Sequence, residues 1–274
     1  MSDRRVWVRR ANRKKLSLEF GCWLFGVARS ALDYRAMRPA QNAELLAFIL
    51  KVADKYPDWG YRLAHGYAVE RGWRVNRKRF HRLWQQAKLQ QPLRPPRRKI
   101  VTGERLEPAA LIRNQVWCYD FVHDRDAADR MIRCLTVKDE ATAFALAIEP
   151  GYRFSAKDVR AVLERLFDQY GVPAYLRSDR GGEFIANELR AWLAGLGVQL
   201  IYSDPGKPWQ NASSESFNGT FRRGCLNRYE FGTMTEAKVI IEKWRRIYNE
   251  IRPHSRLGYK PPASAYFLER QKAA

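Results

Sequence analysis

An acid in the middle of an apolar, alternating segment constrains this chain's fold more than any other feature. In Val116-Trp117-Cys118-Tyr119-Asp120-Phe121-Val122 a period of two sends Trp117, Tyr119 and Phe121 to one face of a strand and Asp120 to the other. Burial raises the free energy of a charged carboxylate. An acid held there therefore needs a counter-ion, a hydrogen-bond donor or a metal.

Two more acids are placed to share that point. Asp179 ends the apolar run Ala174-Tyr175-Leu176-Arg177-Ser178 and precedes Arg180-Gly181-Gly182, whose paired glycines let the backbone turn sharply beside a ligand. Glu215 lies 36 positions beyond Asp179, after the loop from Ser203 to Asn211, on a helix that Ser213 or Ser214 is expected to cap. At helical spacing Asn218 and Arg222 share the glutamate's face, so a DNA phosphate beside the site would meet an amide and a guanidinium. Taken singly, each acid reads equally as a hydrogen-bonded strand residue, a loop cap or a solvated helix residue. Taken together, they suggest a metal.

The strings Trp117 to Val122, Arg177 to Phe184 (RSDRGGEF) and Trp209 to Asn218 (WQNASSESFN) resemble the integrase core of insertion-sequence transposases. The match is specifically to the second-frame protein, OrfB, of the insertion-sequence-three family. The tail Tyr248 to Pro261 (YNEIRPHSRLGYKP) is similar to that family's as well. The resemblance implies a ribonuclease-H-like fold and a DDE triad at Asp120, Asp179 and Glu215, serving as both catalytic residues and metal ligands. It further implies DNA substrates (insertion-sequence ends and target), a homo-oligomer on DNA, and a first-frame partner, OrfA, that contributes end-specific binding. Two positions depart from the commonest pattern: Leu63, where a basic residue is usual, and Gly224, where an acidic one often follows the catalytic helix. Arg180 is one of the two residues the family carries after its second aspartate.

The chemistry of the three acids agrees with this independently. Hard cations such as Mg²⁺ or Mn²⁺ prefer carboxylate and water oxygens, and paired ions sit about 3.5–4 Å apart in two-metal sites. Two ions are expected when DNA is bound. The nucleophile would be water for nicking and a DNA 3′-hydroxyl for strand transfer, so no serine or tyrosine nucleophile is expected.

Charge divides the chain unevenly. The net charge is +21 with pI near 10.1, and residues 1–100 hold 24 Lys/Arg against 7 Asp/Glu. That excess predicts a polyanionic partner bound through phosphates. Residues 1–40 read as a basic arm, the Arg/Lys run at 4–15, followed by a short helical segment over 16–35. Residues 41–90 read as a helix-turn-helix-like DNA-binding domain: an amphipathic helix over 42–55, a second over 61–70, and a third over 76–89 with Asn76 as N-cap. Arg74, Arg77, Lys78 and Arg79 are its candidate DNA contacts. The stretch from Gly72 to Arg79 again resembles the helical domain that precedes the core in the same family. Residues 91–107 form a Pro/Arg-rich linker in which Arg97, Arg98 and Lys99 are expected to follow DNA.

Residues 108–270 then read as the catalytic core with a helical extension. After the first strand, 131–137 and 144–148 are expected as antiparallel partners, followed by a helix over 157–170, a strand over 174–178, a helix over 184–196 and a strand over 198–202. The fold class is thus α/β: a ribonuclease-H-like mixed five-stranded sheet flanked by helices, preceded by a small all-helical basic domain.

Cys22, Cys118, Cys134 and Cys225, with the four histidines, show no paired ligand spacing, so no zinc site is expected. His123 and His254 read as DNA contacts or as satisfied structural histidines. Dispersed thiols and the lack of a long apolar run fit a cytoplasmic, nucleoid-associated protein without a membrane segment. A non-catalytic DNA-binding relic and a ribonuclease-H-like nuclease are the alternatives to an active transposase.

Overall fold

The alternation around Asp120 decides how the sheet is covered. The computed structural model describes residues 2–33, 39–92, 108–179, 186–203 and 211–272. Strand β1 (Val116–Arg125) pairs antiparallel with β2 (Met131–Asp139), which pairs antiparallel with β3 (Ala145–Gly151). On its other side β1 pairs parallel with β4 (Tyr175–Ser178), and β4 with β5 (Gln199–Tyr202), giving the order β3-β2-β1-β4-β5. This is the mixed five-stranded sheet that the pattern predicts. The first strands run longer than expected because the ladder continues from Trp117↔Asp139 out to Arg125↔Met131, through residues too polar to register as a buried strand.

Trp117, Tyr119, Leu135 and Val137 form one face, with Val159, Leu163 and Leu166 of α7 (Ala156–Tyr170) and Leu189 and Leu193 of α8 (Asn187–Gly195). A capping box starts α7, Ser155 accepting from the Asp158 N–H while the Asp158 side chain accepts from the Ser155 N–H. The other face buries Val122, Ile132 and Cys134 against Phe217 and Phe221 of α9 (Ala212–Gly224) and Ile241, Trp244 and Tyr248 of α10 (Met234–Glu250). Asp120 belongs to this second face. Helix α11 (Pro262–Lys272) returns to the first, stacking Tyr266 on Phe144 with centroids 4.4 Å apart.

The chain divides into two compact units, residues 1–48 and 49–274. In the first, α1 (Ser2–Arg13), α2 (Leu18–Leu24) and α3 (Arg29–Leu32) bury Val8, Cys22 and Leu32 together. The basic run expected as an arm is therefore mostly helix. The physical reason is local: Val8 is fully buried, and Arg9 donates to the Leu32 carbonyl at 3.0 Å, giving a charged helix an anchored side.

Helix α4 (Pro39–Lys55) crosses from one unit into the other, followed by α5 (Tyr61–Glu70) and α6 (Arg77–Gln86). The Asn76 side chain accepts from the Lys78 N–H at 2.8 Å, as its N-cap assignment predicts. Tyr56 stacks on Trp59 at 4.1 Å and both meet Tyr67 edge-on. This helical module docks on the core through Asp58, whose carboxylate lies 2.7 Å from the Arg252 guanidinium with both side chains nearly buried.

Gly224 explains its own departure from the family pattern. A Cβ there would lie 2.7 Å from Trp244 Nε1 and 3.4 Å from Asp58 Oδ2, so an acidic side chain would meet both an indole and a like charge. We expect Gly224→Ala to lower stability, with overpacking of about 1–3 kcal/mol exceeding the ~1 kcal/mol gained in helix propensity. Denaturant unfolding checks this. An unchanged or higher midpoint would show that Trp244 yields freely.

Candidate active site

Asp120 is held by both of its oxygens. Oδ1 accepts from the Phe121 N–H and Oδ2 from the Asn218 amide, each at 2.8 Å. Asn218 is in turn oriented from β2: Thr136 Oγ1 lies 3.2 Å from Asn218 Oδ1 and 3.1 Å from the Asp120 carbonyl, so one hydroxyl proton serves two acceptors on the two elements that carry the site. Each carboxylate oxygen keeps further acceptor capacity for another partner.

The second acid comes from the neighbouring strand. Cys118 pairs with Arg177 across β1 and β4, and Asp179 directly follows the last residue of β4, Ser178. Glu215 enters from α9, one helical turn before Asn218. Burial is the largest influence on Asp120, and the negative charges of Asp179 and then Glu215 add to it. The Phe121 N–H and the Asn218 amide oppose the rise, and the net effect pushes the carboxyl up to about 6.

The three carboxylates thus act on one another, yet among the described residues no trio of His, Cys, Asp or Glu is gathered closely enough to hold an ion. Asp120 is partly buried while Asp179 and Glu215 are exposed. Like charges in one cleft spread apart unless a cation draws them in. The donor set itself is all carboxylate oxygen, the kind that hard divalent cations prefer.

The remaining sequence candidates fall differently. Arg222 donates to the His123 carbonyl of β1, so its guanidinium braces α9 against the sheet. Arg74, Arg77 and Lys78 are exposed at the start of α6, with Arg79 half-buried beside them. Arg97, Arg98 and Lys99 lie outside the described residues, as do Gly181, Gly182, Trp209 and Gln210. The cap expected from Ser213 or Ser214 is absent. Helix α9 begins at Ala212 with Asn211 in the cap position and no side-chain cap bond, which places both serines inside the first turn.

Ser213 has another partner, which sequence reasoning missed. Lys138 Nζ donates to the Ser213 carbonyl at 2.8 Å and lies 2.9 Å from its Oγ. Lys138 is only 6% exposed, and burial pulls its pKa down. Across β1 from it, Arg177 is equally buried, 2.6 Å from Glu140 and 3.0 Å from the Pro108 carbonyl. Both pair in register with Cys118. One level below the acids the sheet therefore carries two cations. A lysine closing the apolar run Cys134 to Val137 was the signal available in the sequence.

Among the described residues no helix is long and apolar enough to cross a membrane. Two family profiles described as integrase core domain match residues 110–208 and 196–262, the second spanning α9 and its sequel. A 31.7 kDa protein of insertion element IS407 from Burkholderia multivorans is 37% identical over 242 residues, covering 88% of this chain and 87% of that protein. The Escherichia coli transposase InsD of insertion element IS2 is 29% identical, covering 84% and 81%. Among solved structures, the simian T-cell lymphotropic virus intasome in complex with PP2A regulatory subunit B56 gamma superposes with a TM-score of 0.51. It shares 12% identity over 80% of this chain and 74% of that one, a likeness of fold alone. A mixed five-stranded sheet with Asp120 on its first strand and Asp179 just past its fourth, matched by these profiles and by identity along nearly the whole chain, shows that the protein belongs to the insertion-element transposases with a DDE integrase core.

Proposed function

We propose that this transposase nicks and joins DNA at the ends of its insertion sequence by a two-metal mechanism, with Asp120, Asp179 and Glu215 as ligands for Mg²⁺ or Mn²⁺. The observation that carries this is electrostatic: a half-buried Asp120 is pushed up to about 6 by burial and two neighbouring acids, a cost that a bound cation would remove. When bound, such ions activate the attacking oxygen and stabilise the leaving one. The protein's own part is orientation. The Phe121 N–H and the Asn218 amide fix both oxygens of Asp120, Thr136 fixes Asn218, and Lys138 fixes the first turn of the helix that carries Glu215.

DNA would reach the site from the basic half of the chain. We assign residues 41–90 as the helix-turn-helix-like domain, with Arg74, Arg77, Lys78 and Arg79 on phosphates, and residues 91–107 as the linker. Residues 1–40 precede it as a basic helical segment, and 108–270 are the catalytic core. Joining two ends to a target calls for at least two protomers on DNA, and a first-frame partner would supply end specificity. Work on chromosomal DNA would place the protein with the nucleoid in the cytoplasm.

Two outcomes are expected. With DNA carrying the element's terminal repeats, with and without the first-frame partner, the protein joins strands only when Mg²⁺ or Mn²⁺ is present. Asn218→Ala slows joining roughly 10–100-fold, as for other groups that orient a ligand, and Asp179→Asn costs more than that. Equal product from wild type and Asp179→Asn would remove the catalytic reading, and cleavage of branched or hybrid substrates without joining would favour a nuclease.

The second outcome concerns stability. Asp120 rises from 3.8 to about 6 on folding, so its burden on the fold is absent below pH ~4, grows as pH rises towards 6, and is fully present at neutral pH. Its size there is at most about 3 kcal/mol. Metal-free Asp120→Asn should therefore unfold at a higher temperature than wild type at neutral pH, and Mg²⁺ should raise the wild-type midpoint but not the variant's. Calorimetry showing the variant less stable, with no Mg²⁺ effect on wild type, would contradict the metal assignment.

A further inference from the structure

The other flank of α9 holds a pocket that includes Lys138 and Ser213 but none of the three acids. It has a volume of about 240 Å³ and is lined by Lys138, Ser213, Ser216, Thr220, His254 and Arg256, among others. On a helical wheel Ser213, Ser216 and Thr220 lie on one side of α9, and Glu215, Asn218 and Arg222 on the opposite side.

The polar groups around this pocket are short of an anion. Among the described residues Lys138 donates to Ser213 alone, leaving donor capacity over from three N–H groups. It makes no ion pair among the described residues, and the nearby Glu140 is committed to Arg177 at 2.6 Å. The Arg256 guanidinium donates to the Glu140 and Ala141 carbonyls and meets no carboxylate among the described residues. His254 is the sharpest sign. Its Nε2 is buried with no hydrogen-bond partner, contrary to the expectation of a satisfied structural histidine. Burial, and then the charges of Arg252, Lys138 and Arg256, push its pKa down to about 3. A cation would be repelled from such a cavity, and an apolar occupant would leave a buried ammonium and an imidazole nitrogen unpaired.

We propose that this pocket receives a backbone phosphate of the DNA bound at the acids, on the far side of α9 from them. The sheet face that the pocket shares with Asp120 selects DNA as the source of the phosphate. Lys138 follows Thr136, the partner of Asp120, by two residues on the same face of β2, about 7 Å along the strand. Hydroxyls at Ser213, Ser216 and Thr220 supply neutral donors to a tetrahedral oxyanion, and the Lys138 bond to Ser213 links the occupied pocket to the first turn of α9. This rests on the reading of Asp120, Asp179 and Glu215 as the centre over which DNA lies.

The test uses the full chain without divalent metal, so that binding is read apart from catalysis. With ¹³C-labelled histidine, the four imidazoles are followed by NMR while duplex DNA is titrated, and separately while inorganic phosphate is titrated. The proposal expects DNA to shift the His254 signal, added phosphate to compete for that shift, and Arg256→Gln to weaken DNA binding about threefold or more, with the salt slope falling by about 0.9. His254→Gln should weaken binding as well, although it removes no charge from the free protein. A His254 signal moved by phosphate but not by DNA would make this a free-anion site and overturn the proposal. So would a signal that neither ligand moves, or a salt slope unchanged in Arg256→Gln. DNA-induced shifts at His254 in a protein that never joins strands would sink the catalytic reading and leave the pocket standing.

Discussion

The bond from Asn218 to Asp120 is the contact on which the arrangement of this site depends. It joins the middle of the sheet to a helix 98 residues later in the chain, and it does so at a charged atom. A hydrogen bond to an ionised group contributes about 1.5–3 kcal/mol, more than a neutral one. Its direction matters more than its strength, because it sets where α9 starts relative to β1 and therefore where Glu215 stands. Thr136 and Lys138, both on β2 and both on the Asp120 face, fix the same helix at two further points. Three contacts from two strands leave α9 little freedom to rotate.

Those contacts make the two faces of the sheet unlike each other. The Trp117 face is an apolar cluster covered by α7 and α8, and among the described residues its one buried carboxylate at the sheet, Asp139, is satisfied by the Asn114 N–H and by the N–H and hydroxyl of Thr142. The Asp120 face mixes Phe217, Phe221 and Trp244 with buried Lys138 and Arg177. Burying a cation is costly, and Glu140 offsets that cost directly for Arg177 alone. Lys138 is accommodated through the Ser213 carbonyl and hydroxyl instead, which is a weaker answer to a full charge. This face is therefore the more costly of the two to bury.

What the sequence reveals follows from the range of the interactions involved. Alternation is local, so the face of Asp120, the succession of the five strands along the chain and the span of α5 could all be read from neighbouring residues. The Asn76 cap is local too, its partner being two residues away. Lys138, Arg177 and Gly224 were opaque for the opposite reason. Their meaning lies in Ser213, Glu140 and Trp244, residues 20 to 75 positions away that only the folded sheet brings near. The misplaced cap of α9 belongs with them: Ser213 fits the local preference for an N-cap, but a lysine from another strand already occupies its oxygen. Helix α1 escaped notice because its charge suggested a solvated arm, while a single buried valine and one arginine bond were enough to anchor it.

The docking of the helical module shows the same preference for direction over area. Its contacts with the core include Asp58 and Arg252, with the Arg252 guanidinium 5.8 Å from the Trp59 ring centroid, and a close approach of Gly66 to Tyr259. Beside them a cavity of about 240 Å³ separates Tyr56 and Trp59 from Trp244 and Tyr248. Gaps of that size forfeit dispersion contacts on both walls. A buried ion pair adds little net stability over an apolar pair of the same shape, but losing one partner leaves a stranded charge. The ion pair therefore sets the module's orientation on the core more than it adds to the strength of the contact.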